Sequence, residues 1–176
     1  MAKSVELRRH TDNDGDVLTA EGIETAVDIG RRLKGDYVAI ISSGAQRATQ
    51  AAACLLAGMG RIVPDGVRVD FRFRSDFEDR WKQAYERSGK GDLRSFAEAD
   101  PEFVSDESAR FASAASDLLD GLSEGETALV VGHSPMLEAA AFGLTGEVVA
   151  PLSKGAAVVI VQDGTTYRLA PDPLGS

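Results

Sequence analysis

Each of the two histidines of the chain comes within three residues after a short hydrophobic segment that is typical of a buried strand. His10 comes shortly after residues 5–7, and His133 comes after residues 127–131. A third segment of this kind, residues 37–41, is followed by two serines and, a few residues later, by an arginine. Because ligands of open α/β sheets bind at the carboxyl ends of parallel strands, we expect these polar side chains to form one site.

The arginines in these positions favour an anion as the ligand. Arg47 lies near the start of a predicted helix, where the helix dipole disfavours a cation unless an anion is shared with it. Together with Arg9, His10 and His133, it predicts an anion-binding site. Each feature alone also has an ordinary explanation: the Arg-His pair can be a surface pair, and Ser134 can simply cap the next helix.

The elements that must position these residues alternate along the chain. Strand-like segments at residues 5–7, 37–41, 127–131 and 156–161 alternate with helical patterns at residues 19–33, 45–56, 105–122 and 136–144. This order predicts an α/β fold, a three-layer α/β/α sandwich with a mainly parallel central sheet. Since a domain typically has about 150 residues, we expect residues 1–176 to form a single domain.

The middle of the chain predicts a small helical insertion. Apolar and charged residues alternate over residues 67–73, which favours a strand. Residues 76–87 have a helical pattern that places Phe77, Trp81 and Tyr85 on one face, and the breaker-rich residues 89–101 predict one short helix. We therefore expect residues 71–101 to form a cap over the site.

Composition excludes several classes of protein. The chain is 43% hydrophobic and 27% charged, as in soluble globular proteins, and its net charge of −9 opposes general nucleic-acid binding. A single cysteine, Cys54, excludes an internal disulfide and a multi-cysteine metal site. No segment reaches the roughly 18 apolar residues of a membrane span, and the first ten residues lack a signal-like apolar region. We expect a cytoplasmic protein that binds neither membranes nor nucleic acid.

Four motifs occur in an informative order. They are Leu7-Arg8-Arg9-His10-Thr11, Leu18-Thr19-Ala20-Glu21-Gly22, Ile41-Ser42-Ser43-Gly44-Ala45-Gln46-Arg47-Ala48-Thr49-Gln50-Ala51-Ala52 and Val130-Val131-Gly132-His133-Ser134-Pro135. In this order they resemble the motifs of the histidine phosphatase superfamily, which includes cofactor-dependent phosphoglycerate mutase and the phosphohistidine phosphatases.

The resemblance implies a role for each matching residue. His10 would be the nucleophile that carries a transient phosphoryl group, and Arg9, Arg47 and His133 would hold the non-bridging oxygens. This agrees with general chemistry, because a neutral imidazole is nucleophilic near pH 7 and phosphoryl transfer needs fixed positive charge. Neither a metal nor another cofactor is expected.

The first loop departs from the family pattern. Thr11 replaces the glycine that usually follows the histidine, and an acidic segment, residues 12–16, comes next. Asn13 and Ser134 are candidate phosphate-binding residues. We interpret the acidic segment as a solvated turn rather than as a determinant of substrate choice.

The proton donor is the least defined part of the predicted site. Relatives carry a glutamate before an aromatic segment, and here Glu78 is the first candidate and Asp76 the second. Each of them can equally be a solvated residue at an acidic helix start.

These observations predict a metal-independent phosphomonoesterase. The segment between Arg47 and His133 is longer than in the compact phosphohistidine phosphatases and looks too short for a full phosphoglycerate mutase. A phosphohistidine (phosphoprotein) phosphatase is the alternative enzyme, and an inactive phosphate-binding or interaction module is the alternative of another class. The substrate is accordingly a phosphorylated small molecule or a phosphoprotein.

Overall fold

The hydrophobic segments form the central sheet of the computed structural model, which describes residues 2–175. The strands are β1 (Lys3–Arg9), β2 (Asn13–Asp14), β3 (Val17–Leu18), β4 (Asp36–Ser42), β5 (Val67–Val69), β6 (Glu126–Gly132), β7 (Ala157–Asp163) and β8 (Thr166–Pro171). The helices are α1 (Ala20–Arg32), α2 (Gln46–Met59), α3 (Glu78–Ser88), α4 (Leu93–Ala99), α5 (Pro101–Asp120) and α6 (Met136–Thr145), with a 3-10 turn at Phe71–Phe73.

Six strands form one sheet in the order β5-β4-β6-β1-β7-β8, and β2 pairs with β3 in a separate ribbon. Strands β5, β4, β6 and β1 run parallel to one another, whereas β7 runs antiparallel to both β1 and β8. In this register Arg9 is opposite Gly132, and Ser42 is opposite Val131. The carboxyl ends of β1, β6 and β4 are therefore level, which brings the residues that follow them together.

Helices cover both faces of the sheet, so the predicted three-layer α/β/α fold is confirmed. On one face, α1 and α2 pack against β4 and β6 through small and branched side chains, among them Ala48 and Ile40. On the other face, α5 and α6 bury Phe111 and Leu137 against β1 and β6. Thr19 caps the start of α1, because its hydroxyl accepts a hydrogen bond from the Gly22 amide at 3.0 Å.

The segment between β5 and α5 differs from its prediction in two respects. The strand predicted over residues 67–73 ends at Val69, because the Asp70 carboxylate accepts the Arg72 amide and starts a turn. Of the three aromatic residues predicted to share one helix face, only Trp81 is buried, while Phe77 and Tyr85 are about half exposed. Positions eight residues apart diverge by about 80° around a helix, so a single neighbouring surface does not cover all three.

The remaining helices follow the sequence pattern closely. The short helix predicted within residues 89–101 is α4, and Trp81 packs edge-on against Phe96 of this helix at 5.5 Å between ring centroids. Helix α5 begins at Pro101, four residues before its predicted start, since proline suits the first turn of a helix. None of the helices in residues 2–175 is long and apolar enough to cross a membrane.

Candidate active site

The two histidines lie side by side at the carboxyl edge of the sheet. The His10 amide donates a hydrogen bond to the Gly132 carbonyl at 3.1 Å, which extends the pairing of β1 and β6 by one residue. The centroids of the His10 and His133 rings are 5.3 Å apart, and the two residues are 4% and 6% exposed. Two strands that are adjacent in the sheet thus place two imidazoles in one buried location.

The His10 ring is held in a single tautomer. Its Nδ1 lies 2.8 Å from the Thr11 carbonyl oxygen, and because a carbonyl can only accept, Nδ1 carries the hydrogen. The lone pair is therefore on Nε2. Burial lowers the pKa of His10 to about 4, and the positive charges of Arg47 and Arg9 lower it in the same direction, so the ring is neutral at pH 7.

His133 has one satisfied and one unsatisfied ring nitrogen. Its Nε2 lies 2.7 Å from the Ser43 hydroxyl oxygen, whereas the buried Nδ1 has no hydrogen-bond partner in the described part of the chain. Burial, followed by the charge of Arg47, lowers the pKa of His133 to about 3. The sequence placed Ser43 at the carboxyl end of a strand, near the expected site, but indicated no partner or role for it.

The two arginines approach the histidines from different elements. Arg9, at the end of β1, donates from Nη1 to the Leu152 carbonyl at 2.8 Å, while its buried Nε has no partner among residues 2–175. Arg47, in the first turn of α2, donates from Nη1 to the Asp16 carboxylate at 2.8 Å. Burial lowers the pKa of Arg9, as does the charge of Arg47, which indicates that the two guanidinium groups are close enough to repel each other.

The acidic loop has more structure than a solvated turn. The Asp16 carboxylate accepts the Arg47 backbone amide as well as its side chain, so this carboxylate is an anion at the start of α2. Asp12 accepts hydrogen bonds from Thr19 and Lys154. The unusual position of Arg47 in a helix N-terminus is therefore partly explained by Asp16.

Two adjoining cavities contain the predicted site. The inner cavity has a volume of about 350 Å³ and is lined by Arg9, His10, Asn13, Gly15, Arg47, His133 and Ser134. The outer cavity, of about 490 Å³, shares Arg9, Arg47, His133 and Ser134 with the inner one and extends along α3. All of the residues that the sequence suggested for phosphate binding thus line the inner cavity.

The structure separates the two candidate proton donors. Glu78, in the first turn of α3, lines the outer cavity and accepts a hydrogen bond from Arg74 at 3.3 Å. Asp76 is not among the residues that line either the inner or the outer cavity. Glu78 is therefore the one of the two that lines a cavity together with Arg9, Arg47 and His133.

Glu138 is a further acidic residue of the site that the sequence analysis missed. It lies on α6, is 1% exposed, and accepts hydrogen bonds from the Ser134 hydroxyl and, at 2.9 Å, from the Leu152 amide. The suggestion that Ser134 caps α6 is wrong, because this hydroxyl binds Glu138 and Pro135 occupies the N-cap position. Burial raises the pKa of Glu138. An acidic residue in an otherwise apolar helix was the available signal.

The arrangement is suited to an anion with several oxygens. Two guanidinium groups supply fixed positive charge, and two neutral imidazoles lie within the same cavity. An unprotonated imidazole nitrogen such as Nε2 of His10 can act as a nucleophile without an activating base. Within residues 2–175, no group of three or more His, Cys, Asp or Glu side chains has the arrangement of a metal site.

Comparison with solved structures shows the same fold in several enzymes. Phosphoglycerate mutase from Bacillus anthracis str. Sterne superposes with a TM-score of 0.74 at 15% identity, over 97% of this chain and 92% of that chain. Phosphoserine phosphatase from Entamoeba histolytica gives a TM-score of 0.68 at 16% identity, over 97% and 96%. The protein histidine phosphatase SixA gives 0.60 at 16% identity, over 97% of each chain.

Comparison of the sequence itself identifies the family. No curated protein matches the chain. The family model of the histidine phosphatase superfamily (branch 1), in contrast, matches residues 2–162, which include Arg9, His10, Arg47 and His133. Because this match spans most of the chain, the protein belongs to branch 1 of the histidine phosphatase superfamily.

Proposed function

We propose that this phosphatase hydrolyses phosphate monoesters through a covalent phosphohistidine on His10, without a metal ion. The observation that carries the proposal is the state of the His10 ring, which is neutral, with its Nδ1 hydrogen donated to Thr11 and its Nε2 lone pair free. This ring lines the same cavity as Arg9, Arg47 and His133. A nucleophile and the groups that bind its target are thus present together.

In the first step, Nε2 of His10 attacks phosphorus in line with the leaving oxygen, so that an N–P bond forms as the P–O bond breaks. The imidazole gains positive charge, which the hydrogen bond from Nδ1 to the Thr11 carbonyl stabilises. Arg9, Arg47 and His133 hold the non-bridging oxygens, with Asn13 and Ser134 as neutral partners.

The leaving oxygen must receive a proton, and we assign this role to Glu78, which lines the outer cavity beside the arginines. In the second step, the Glu78 carboxylate takes a proton from a water molecule as the water oxygen attacks phosphorus. The N–P bond breaks, inorganic phosphate leaves, and His10 and Glu78 return to their starting states.

The substrate we propose is a phosphorylated small molecule. The outer cavity has a volume of about 490 Å³, which lies within the usual range of about 300–1,000 Å³ for small-molecule sites. Helices α3 and α4, within the proposed cap at residues 71–101, supply part of its wall. A phosphohistidine protein is the second candidate substrate, favoured by the similarity in fold to the protein histidine phosphatase SixA.

The test is to trap the covalent intermediate. The protein is mixed with a radiolabelled aryl phosphate in the presence of EDTA, quenched, and digested to locate the label. We expect an acid-labile, base-stable adduct on His10, and loss of both label and turnover in His10→Ala, with an unchanged circular dichroism spectrum. Label on Ser42, Ser43 or Cys54 would contradict the mechanism.

A further inference from the structure

We propose that the physiological substrate is a phosphate monoester of an apolar alcohol or phenol, rather than of a sugar, a polyol or a small hydroxy acid. The proposal rests on the proposed function and concerns the part of the substrate that leaves with the bridging oxygen. Its basis is the chemistry of the outer cavity, which differs from that of the inner one.

Six of the side chains that line the outer cavity are apolar, and we call them its wall: Trp81, Phe96, Pro135, Met136, Pro151 and Leu152. Trp81 packs at ring-centroid distances of 5.5 Å from Phe96 and 5.0 Å from Phe103, so that part of the wall is already in place before a ligand enters. A preformed apolar wall favours a ligand with apolar surface.

The polar groups that this wall does contain are already used within the protein. The Trp81 indole nitrogen donates to the Ser75 hydroxyl at 3.2 Å and to the Glu107 carboxylate at 3.3 Å. The Leu152 amide donates to Glu138 at 2.9 Å, and its carbonyl accepts from Arg9 at 2.8 Å. The two prolines have no amide hydrogen.

A polar leaving group would therefore lose hydrogen bonds on binding. The hydroxyls of a sugar or polyol would exchange water for a wall without free donors or acceptors, which is unfavourable. An alkyl chain or an aromatic ring would instead leave water for apolar contacts.

The polar side chains of the outer cavity either have a role in the proposed reaction or lie on the exposed side of a helix. Arg9, Arg47, His133 and Ser134 are shared with the inner cavity and face the phosphate in the proposed function, and Glu78 is the proposed proton donor. Lys82 and Tyr85 lie on the exposed side of α3. The cavity is thus suited to a molecule with an anionic head and an apolar body.

The wild-type protein tests this with two substrates that share one carbon skeleton, hexyl phosphate and sorbitol 6-phosphate. We expect kcat/KM to be at least about tenfold higher for hexyl phosphate, with most of the difference in KM. The hydroxyls of sorbitol make its alkoxide the better leaving group, so the intrinsic chemistry works against the expected result. p-Nitrophenyl phosphate serves as the common reference.

A pair of variants tests whether the apolar wall of the outer cavity causes the preference for hexyl phosphate. Met136→Gln places an amide of similar size in the outer cavity, and we expect it to reduce the preference for hexyl phosphate by about tenfold. Met59→Gln, at the end of α2 and outside both cavities, is the matched control and should leave the preference unchanged. If Met136→Gln does not fold, the comparison of the two substrates with the wild-type protein still tests the proposal.

The outcomes separate this inference from the function on which it rests. Normal turnover of p-nitrophenyl phosphate with equal or better hydrolysis of sorbitol 6-phosphate or phosphoserine would overturn the inference alone. Turnover of a phosphohistidine protein, with neither alkyl ester hydrolysed, would also overturn it. Absence of turnover with every ester, together with no label on His10, would overturn the proposed function itself.

Discussion

At the scale of single residues, two effects keep His10 and His133 neutral. Both rings are almost fully buried, and the positive charges of Arg9 and Arg47 add to the cost of a second cation. The guanidinium groups that would bind phosphate therefore also help to keep the proposed nucleophile, His10, unprotonated. An anion in the inner cavity would offset that positive charge.

The paired hydrogen-bond donors of the Arg47 guanidinium group are predicted to contribute to catalysis in addition to its positive charge. Arg47→Lys keeps one positive charge but loses the planar pair of donors, so we expect transition-state stabilisation to fall by about 1.5–3 kcal/mol, roughly tenfold to over a hundredfold in kcat/KM. Steady-state kinetics with p-nitrophenyl phosphate measure this. Arg32→Lys, in an exposed ion pair with Asp28, is the matched control and should retain full activity.

Full activity of Arg47→Lys would show that the pairing with Asp16 is the whole role of this arginine. The expected loss of activity would instead show that Arg47 also binds phosphate, either by breaking its ion pair with Asp16 or while keeping it.

The contribution of Glu78 to the reaction rate is predicted to increase with the basicity of the leaving group. p-Nitrophenolate leaves without a proton, whereas an alkoxide does not, so Glu78→Gln should slow alkyl phosphate hydrolysis far more than p-nitrophenyl phosphate hydrolysis. The ratio of the two kcat/KM values is the measurement. Asp76→Asn, two residues away and outside both cavities, is the control and should leave the ratio unchanged.

A selective loss in Asp76→Asn instead would transfer the acid role to Asp76. Equal slowing of both substrates in Glu78→Gln would mean that Glu78 contributes to binding but donates no proton.

At the scale of elements, the crossing of α1 and α2 depends on glycine. A Cβ at Gly30 would lie 2.1 Å from the Leu55 carbonyl oxygen, and one at Gly58 would lie 2.1 Å from that of Val27. The two helices thus approach backbone to backbone. This contact sets the position of α2, which carries Arg47 into the inner cavity.

Gly30→Ala is therefore expected to lower the free energy of unfolding by about 1–3 kcal/mol, because backbone atoms must move to admit the methyl group. Urea denaturation followed by circular dichroism measures the change. Gly121→Ala is the matched control: its nearest neighbour is 3.5 Å away and its φ is −79°, so a change below about 1 kcal/mol is expected. Equal stability of the two variants would contradict the close helix crossing.

At the scale of the whole molecule, the C-terminal segment supports β1, the strand that leads to His10. Asp172 forms a buried ion pair with Arg8 at 2.9 Å, and Arg8 donates to the Gly155 carbonyl at 2.6 Å. The Gly155 amide donates in turn to the carbonyls of Arg9 and His10, at 3.2 and 3.1 Å. Residues near the end of the chain thus hold the end of β1 in place.

The stability of the whole molecule should depend on pH through the buried histidines. An unfolded histidine binds a proton near pH 6.5, whereas folded His10 binds one only near pH 4. Between these values the unfolded state holds more protons, so the free energy of unfolding decreases as the pH falls. We expect urea denaturation to show this loss in the wild type and a smaller one in His10→Asn.

Comparison with His10→Asn cancels the contributions of the carboxylates that both proteins share. The same pH dependence in the two proteins would mean that His10 titrates near its ordinary value when folded.

The sequence alone allowed the architecture and most of the site to be predicted. Continuous apolar segments indicated the buried strands, and helical periodicity indicated the layers that cover them. Because parallel strands end at one edge, the residues after three of them could be assigned to one site. His10, His133, Arg9 and Arg47 were found in this way, and all four line the inner cavity.

Only the tertiary structure decided which partners those side chains have. Asp16 binds Arg47 and Ser43 binds His133 across 31 and 90 positions of the chain, and Leu152 joins Arg9 to Glu138. It also decided that Glu78 and not Asp76 lines the outer cavity, and that Phe77 and Tyr85 remain exposed. Periodicity records which face of an element is buried, whereas hydrogen bonds, burial and pKa shifts arise from contacts between elements, which are set when the chain packs.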